Sequence, residues 1–118
     1  MNNKVLGNSF EREFVNMLAE KGFWAHFVEP NKSGAQPFDV IAYKDGEMWA
    51  IDCKTCANNR ITWGRLQINQ ILAFRKVIEL GCTHTFVAVK HNDNIHLVHY
   101  LELEQKRSVK LDGSNLFK

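Results

Sequence analysis

Two apolar-rich runs on either side of an Asp-Gly pair constrain the fold of this chain more than any other feature. The runs cover residues 38–43 and 47–54, and Lys44-Asp45-Gly46 separates them. Asp-Gly supplies the positive φ that tight hairpin turns require. The pattern predicts two adjacent antiparallel strands, in a register that places residue 39 opposite about residue 52.

Charged side chains interrupt the second run at its end, where Asp52 and Lys54 flank Cys53. Successive side chains of a strand point to opposite faces, so Asp52 and Lys54 share one face and Cys53 lies on the other. The hairpin register brings Asp39 next to Asp52. Adjacent carboxylates repel unless a cation binds between them, and oxygen ligands select Mg²⁺, for which Mn²⁺ can substitute. The group suits phosphodiester hydrolysis; the alternative is a simple surface salt bridge between Lys54 and either aspartate.

The remaining segments predict an α/β protein, with a mixed central sheet flanked by helices and the element order αβββαββ. Helical spacing of apolar residues predicts one helix at about 8–21 and a second from residue 63 or 64 to 80. Further strands are expected at 23–29, 83–90 and 94–100, and a loop at 55–62. Beyond residue 100 we expect a tail, 101–118, with one more helical turn that frays near 113–115.

Length and composition favour a single domain over 1–118, because 118 residues with 45% hydrophobic content suffice for one core. No apolar run approaches the length of a membrane span, and the N-terminus has no export signal. We therefore expect a cytoplasmic protein without membrane contact. The three cysteines, Cys53, Cys56 and Cys82, are predicted to be thiols. A zinc site formed with His84 is the less favoured interpretation.

Basic residues dominate one stretch of the chain although the formal net charge is only +2. Between residues 54 and 78 the sequence has no Asp or Glu, and its basic residues are Lys54, Arg60, Arg65, Arg75 and Lys76. Such a strip indicates either a polyanionic partner or a solvated helix face. Both interpretations stay open from charge alone.

The ordered motifs resemble the PD-(D/E)XK nuclease superfamily, and within it the Holliday junction resolvases of the Hjc and RecU type. The resemblance covers about residues 4–100 and lies in Gly7-x-x-x-Glu11, Ser33-Gly34, Pro37-x-Asp39 and Asp52-x-Lys54. It implies a restriction-endonuclease-like core and metal-dependent cleavage of branched DNA in recombination and repair. The chain departs from the family pattern in two places: Phe38 intervenes between proline and aspartate, and Asp52 stands where many resolvases have glutamate.

The resemblance also assigns roles to individual residues. It implies that the catalytic residues are Glu11, Ser33, Asp39, Asp52, Lys54 and Gln70. Glu13 competes with Glu11, and Gln67 competes with Gln70. The implied metal ligands are Glu11, Asp39, Asp52 and the backbone carbonyl of Cys53. The residues expected to contact DNA are Lys32, Arg60, Trp63 and Arg65.

Symmetric cleavage of a two-fold symmetric junction requires two active sites, so a chain with one site is expected to act as a homodimer on branched or duplex DNA. Two other functions remain possible at this stage. One is a phage or restriction-like nuclease of the same superfamily that cuts duplex or flapped DNA. The other is a nucleic-acid-binding module without catalytic activity, in which the acidic cluster is incidental.

Overall fold

A computed structural model of the protein describes residues 8–29 and 36–118. The three helices in the described ranges are α1 (Ser9–Glu20), α2 (Ile68–Glu79) and α3 (Tyr100–Lys106). The strands are β1 (Trp24–Phe27), β2 (Val40–Lys44), β3 (Glu47–Cys56), β4 (Arg60–Thr62), β5 (His84–His91), β6 (Asn94–His99) and β7 (Ser108–Lys110). Two 3₁₀ turns occupy Trp63–Arg65 and Gly113–Asn115. Within the described parts, no helix is long and apolar enough to span a bilayer.

The centre of the molecule is a five-stranded mixed sheet in the order β1-β2-β3-β5-β6. The β2–β3 hairpin turns at Asp45 and Gly46, whose φ angles are 54° and 79°. Val40 pairs with Ile51, which places Asp39 beside Asp52 and confirms the predicted register. β3 and β5 run parallel, so the connection between them must cross over the sheet, and it contains α2.

Helices α1 and α2 contribute to separate hydrophobic clusters. Phe14 and Leu18 of α1 join Ile51 and Ala88, whereas Phe74 of α2 joins the other cluster with Ala50, Val87 and further residues. Because neighbouring residues such as Ala50 and Ile51 belong to different clusters, the two clusters lie on opposite faces of the sheet. Asp52 and Lys54 therefore share the α2 face, and Cys53 lies on the α1 face.

The second helix begins later than predicted. Residues 63–65 form a 3₁₀ turn, and the α-helix starts only at Ile68, after an extended Gln67 with φ −85° and ψ 158°. The Gln70 side chain accepts a 2.9 Å hydrogen bond from the Gln67 backbone amide, which satisfies a donor at the start of the helix. The prediction of one continuous helix from residue 63 or 64 was wrong because this cap competes with the apolar spacing.

The C-terminal segment is also more regular than predicted. Instead of a fraying tail, α3 and β7 follow β6, and Leu103 and Val109 are buried in the cluster on the α2 face. β7 pairs with β4, so residues 60–62 of the expected loop are a strand. A three-residue strand is too short to show a period of its own. Its partners are distant in the chain, in the register Arg60↔Lys110, Ile61↔Val109 and Thr62↔Ser108.

Candidate active site

Asp39 is held in a fixed orientation immediately before β2. Its Oδ2 accepts a 2.8 Å hydrogen bond from the backbone amide of Cys53, and its Oδ1 accepts a 2.9 Å bond from Nε2 of Gln36. Its backbone amide donates to the Ile51 carbonyl at 3.1 Å. The hairpin therefore fixes both the backbone and the carboxylate of this residue at the end of the sheet where β3 carries Asp52.

Asp52 is fully buried, with 0% of the residue exposed. Its Oδ1 accepts a 3.0 Å hydrogen bond from Nε2 of Gln70, and its Oδ2 lies 3.2 Å from Nζ of Lys54. The Lys54 contact is an ion pair without hydrogen-bond alignment, so Oδ2 accepts no hydrogen bond among the described residues. The pKa of Asp52 is raised to about 8, first by burial and then by the neighbouring Asp39 carboxylate, while Lys54 opposes the shift.

Gln70 joins the lysine and the aspartate. Its Oε1 accepts from Nζ of Lys54 at 3.3 Å, while its Nε2 donates to Asp52. The residue is 7% exposed on the first turn of α2. Of the two competing glutamines, Gln70 is therefore the one whose side chain reaches the carboxylates.

The donor set fits a hard divalent cation. Asp39 and Asp52 present adjacent carboxylates, and the Oδ2 atom of Asp52 is a buried acceptor without a hydrogen bond from the described residues. A cation beside this pair would offset the cost of burying the Asp52 charge. Mg²⁺ is commonly bound by one or two carboxylates and retains several waters, so a set of two aspartates suits it.

Comparison with known proteins assigns the chain to a family. Residues 2–115 match the family model described as archaeal Holliday junction resolvase (Hjc). The chain belongs to this resolvase family. Membership confirms the family and the junction-resolving nuclease function that the motifs predicted.

Individual relatives agree with this membership. The chain is 26% identical over 114 residues to the crossover junction endodeoxyribonuclease Hje of Sulfolobus acidocaldarius, a match that covers 96% of this chain and 81% of that protein. It is 27% identical over 86 residues to the crossover junction endodeoxyribonuclease Hjc of Methanocaldococcus jannaschii, covering 73% of this chain and 59% of that protein.

The fold has a close match among solved structures. The Holliday junction resolvase Hjc of Archaeoglobus fulgidus, solved at 1.6 Å resolution, superposes with a TM-score of 0.65 at 24% identity. The match covers 92% of this chain and 88% of that one. It confirms the predicted restriction-endonuclease-like α/β fold.

Glu11 is not assembled with the two aspartates. In residues 8–29 and 36–118, no three His, Cys, Asp or Glu side chains converge as a metal site. Glu11 caps α1, where its Oε1 accepts from the Asn8 amide at 3.2 Å. Its charge nevertheless reaches Cys53, whose thiol pKa is raised first by burial and then by Asp39, Asp52 and Glu11. Its competitor Glu13 forms an ion pair with Lys90 at 2.6 Å, and this pair does not include either aspartate.

The cysteines lie as thiols in the structure. Cys53 and Cys56 are buried and unbridged, and Cys82 is partly buried. Cys56 Sγ accepts a 3.4 Å bond from Nη1 of Arg65. In the described ranges, no three His, Cys, Asp or Glu side chains group together around these cysteines.

Three of the residues expected to contact DNA follow β3 in the chain, on β4 and the adjoining 3₁₀ turn. Arg65 donates to the Thr55 carbonyl at 3.0 Å, and Arg60 donates to Oγ of Ser108 at 2.8 Å. Trp63 is partly buried and packs against Tyr100 at a centroid distance of 5.8 Å. Lys32, the fourth residue expected to contact DNA, lies outside the described residues. So does Ser33, one of the expected catalytic residues.

The sequence analysis missed two residues that support Asp39. Gln36 donates to the Asp39 carboxylate, and Nδ2 of Asn69 donates to the Gln36 carbonyl at 2.8 Å. Asn69 lies next to Gln70 on α2, so one helix turn supports both aspartates of the candidate site. The available signal was proximity: Gln36 stands three positions before Asp39, and Asn69 adjoins Gln70. No general spacing rule links an amide at these positions to a metal site.

Proposed function

We propose that this chain is a Mg²⁺-dependent endodeoxyribonuclease that cleaves Holliday junctions in DNA recombination and repair. The convergence of Asp39, Asp52, Lys54 and Gln70 in a member of the resolvase family carries the proposal. We also propose that the protein is cytoplasmic, as expected from the sequence, because an enzyme that cleaves DNA must have access to it.

Asp39, Asp52 and the Cys53 carbonyl are the groups proposed to hold the metal ion. When bound there, Mg²⁺ or Mn²⁺ supplies positive charge to the scissile phosphate and lowers the pKa of a coordinated water. The Cys53 amide and Gln36 fix the Asp39 carboxylate, and Gln70 fixes that of Asp52. The roles of Glu11 as a further ligand and of Ser33 as a catalytic residue remain predictions from the family resemblance.

Lys54 is proposed to stabilise negative charge on the reacting phosphate. Its side chain is 15% exposed, so its ammonium lies at the boundary between the buried Asp52 and the solvent from which DNA approaches. Gln70 and Asp52 limit the positions of Nζ before substrate binds. A charge held in place before reaction avoids reorganisation in the transition state.

We further propose that the active form is a homodimer. Ile68 and Leu72, one turn apart on α2, are 67% and 57% exposed, and their helix also carries Gln70. Burial of this apolar face by a second copy would remove it from water and place two active sites in one particle. Two sites match the two symmetric cuts that resolve a four-way junction.

A panel of DNA substrates tests the activity. Labelled four-way junction, Y-fork, duplex and single strand are incubated with the protein in Mg²⁺, and Asp52→Asn serves as a control for contaminating nucleases. The proposal expects symmetric nicks confined to the junction and absent in the variant. Broad cutting of duplex would support another nuclease of the superfamily, and binding without cutting would support a non-catalytic module.

A further inference from the structure

Arg107 occupies a backbone conformation that does not suit an arginine. It ends α3 with φ 67° and ψ −15°, in the left-handed region. In the described ranges the other non-glycine residues with positive φ are Asp45 and Asn92, types that tolerate this region. Glycine or asparagine is the usual residue at this kind of helix end. The backbone conformation therefore does not favour an arginine at this position, and any advantage of the arginine must come from its side chain.

The Arg107 side chain is stacked on an aromatic ring. Its guanidinium carbon lies 4.7 Å from the centroid of the Trp63 ring, and the Trp63 amide donates to the Arg107 carbonyl at 2.8 Å. Arg107 is exposed and forms no salt bridge with an acid of the described residues. Stacking uses the face of a guanidinium and leaves its in-plane N–H groups available to an acceptor.

The stack lies on a 3₁₀ turn that carries a second arginine and contacts β3. Arg65, in the same 3₁₀ turn as Trp63, donates to Thr55, the neighbour of Lys54. On the β4–β7 pair, Arg60 stands opposite Lys110, and both are exposed. The nearby acids are partly engaged: Glu102 pairs with Lys106 at 2.9 Å, and Asp112 accepts from the Ser114 amide at 2.9 Å. Arg107 is thus stacked on the turn that carries Arg65, and Arg65 contacts the strand that carries Lys54.

We propose that Arg107, oriented by Trp63, binds a DNA phosphate outside the scissile position. The inference rests on the proposed function, because it takes junction DNA as the ligand. A planar guanidinium donates two parallel hydrogen bonds to a phosphate, which a flexible ammonium does not match. The site would contribute to affinity and to placement of the DNA arm, and the chemistry would remain with Lys54 and the aspartates.

Junction binding in EDTA at a series of salt concentrations tests the proposal, together with melting temperatures. Arg107→Gly and Arg107→Asn both relieve the backbone and remove the charge. We expect each to lower affinity about 3- to 10-fold and to reduce the salt slope by about one, as for one lost phosphate contact, with a melting temperature at or above wild type. Arg107→Lys should retain part of the affinity. Lys44→Gln, at the hairpin turn, is the control for a lost surface charge and should bind like wild type.

Two results would overturn the inference. One is wild-type affinity of both neutral variants at every salt concentration. The other is a lower melting temperature in both, which would mean that the arginine serves to hold the helix end on Trp63. Failure of the wild-type protein itself to bind any junction would instead contradict the proposed function. The comparison of wild type with its variants thus separates the two claims.

Discussion

The backbone amide of Cys53 donates a 2.8 Å hydrogen bond to the carboxylate of Asp39 across the β2–β3 hairpin. The same hairpin pairing places Asp52, which precedes Cys53, beside Asp39. The two carboxylates are therefore held together by backbone geometry, against their mutual repulsion. A cation bound beside them would be stabilised by two negative charges that the fold keeps adjacent.

Removal of either carboxylate should separate chemistry from binding. We expect Asp39→Asn and Asp52→Asn to lower junction cleavage by about three orders of magnitude or more, since metal-ion charge stabilisation is worth several kcal/mol. Binding should be unchanged or tighter because repulsion of phosphate decreases. Gel-based cleavage at saturating Mg²⁺ and binding in EDTA measure the two effects. Near-wild-type turnover of either variant would contradict the assignment.

Lys54 should act on the chemical step. Lys54→Ala is expected to lower the single-turnover rate by about 100- to 1,000-fold with little change in affinity, as for loss of one positioned group in a transition state. Lys54→Arg should not restore the rate, because a planar fork does not replace a point charge beside Asp52.

Arg60→Ala is the matched comparison for Lys54, since Arg60 is exposed and bonded to Ser108 instead of the aspartates. It should weaken binding and reduce the salt slope by about one while single-turnover cleavage is retained. If Lys54→Ala only weakened binding in the same way, the lysine would belong to the general phosphate-binding surface.

Gln36 should act as a positioning residue for Asp39. Gln36→Ala removes the donor to Oδ1, and Asn69→Ala removes the bond that holds the Gln36 backbone. Loss of such supporting contacts typically lowers metal affinity or activity about 10- to 100-fold. Calorimetric titration with Mg²⁺ should show weaker binding, and excess Mg²⁺ should restore part of the cleavage rate. Gln105→Ala, at an exposed position of α3, should change neither, and unaltered Mg²⁺ affinity of Gln36→Ala would refute this role.

Burial of Asp52 should make the metal-free protein less stable as pH rises. Burial, the largest cause, raises the folded-state pKa of Asp52 from its ordinary value near 3.8 to about 8. The stability associated with its neutral form is complete below about pH 4 and is lost as pH rises toward 8. In EDTA, the free energy of unfolding of Asp52→Asn should therefore increase relative to that of wild type as pH rises from 4 to 8. The relative increase should reach on the order of 1–3 kcal/mol at pH 8. Urea unfolding at pH 4, 6 and 8 measures it; a difference that does not change with pH would exclude this linkage.

The exposed face of α2 should determine the oligomeric state. Leu72→Arg places a charge in the apolar face formed with Ile68 and should convert a dimer into a monomer, as measured by sedimentation. The monomer should retain its fold because Leu72 is 57% exposed. Cuts at the junction should then become uncoupled single nicks. Arg75→Ala, which removes an exposed charge one turn away, is the control; a monomeric wild-type protein would contradict the dimer.

Local sequence determined the hairpin, the first helix and the neighbourhood of the two aspartates. Asp45-Gly46 fixes the turn, and strand pairing then fixes every partner up to Asp39 and Asp52 without any other part of the chain. Asn8 and Glu11 similarly determine the start of α1 by their reciprocal capping bonds. These features depend on residues a few positions apart or on one turn, so a pattern in the sequence contains them.

Only the tertiary structure decided which groups support that site and how the C-terminal residues are used. Asn69 reaches Gln36 across 33 positions, Arg107 meets Trp63 across 44, and β7 pairs with β4 through partners such as Ile61 and Val109. Each contact depends on the packing of distant elements, which side-chain periodicity does not encode. The sequence by itself thus determined that Asp39 and Asp52 are neighbours, and the packing of α2, α3 and β7 decided what surrounds them.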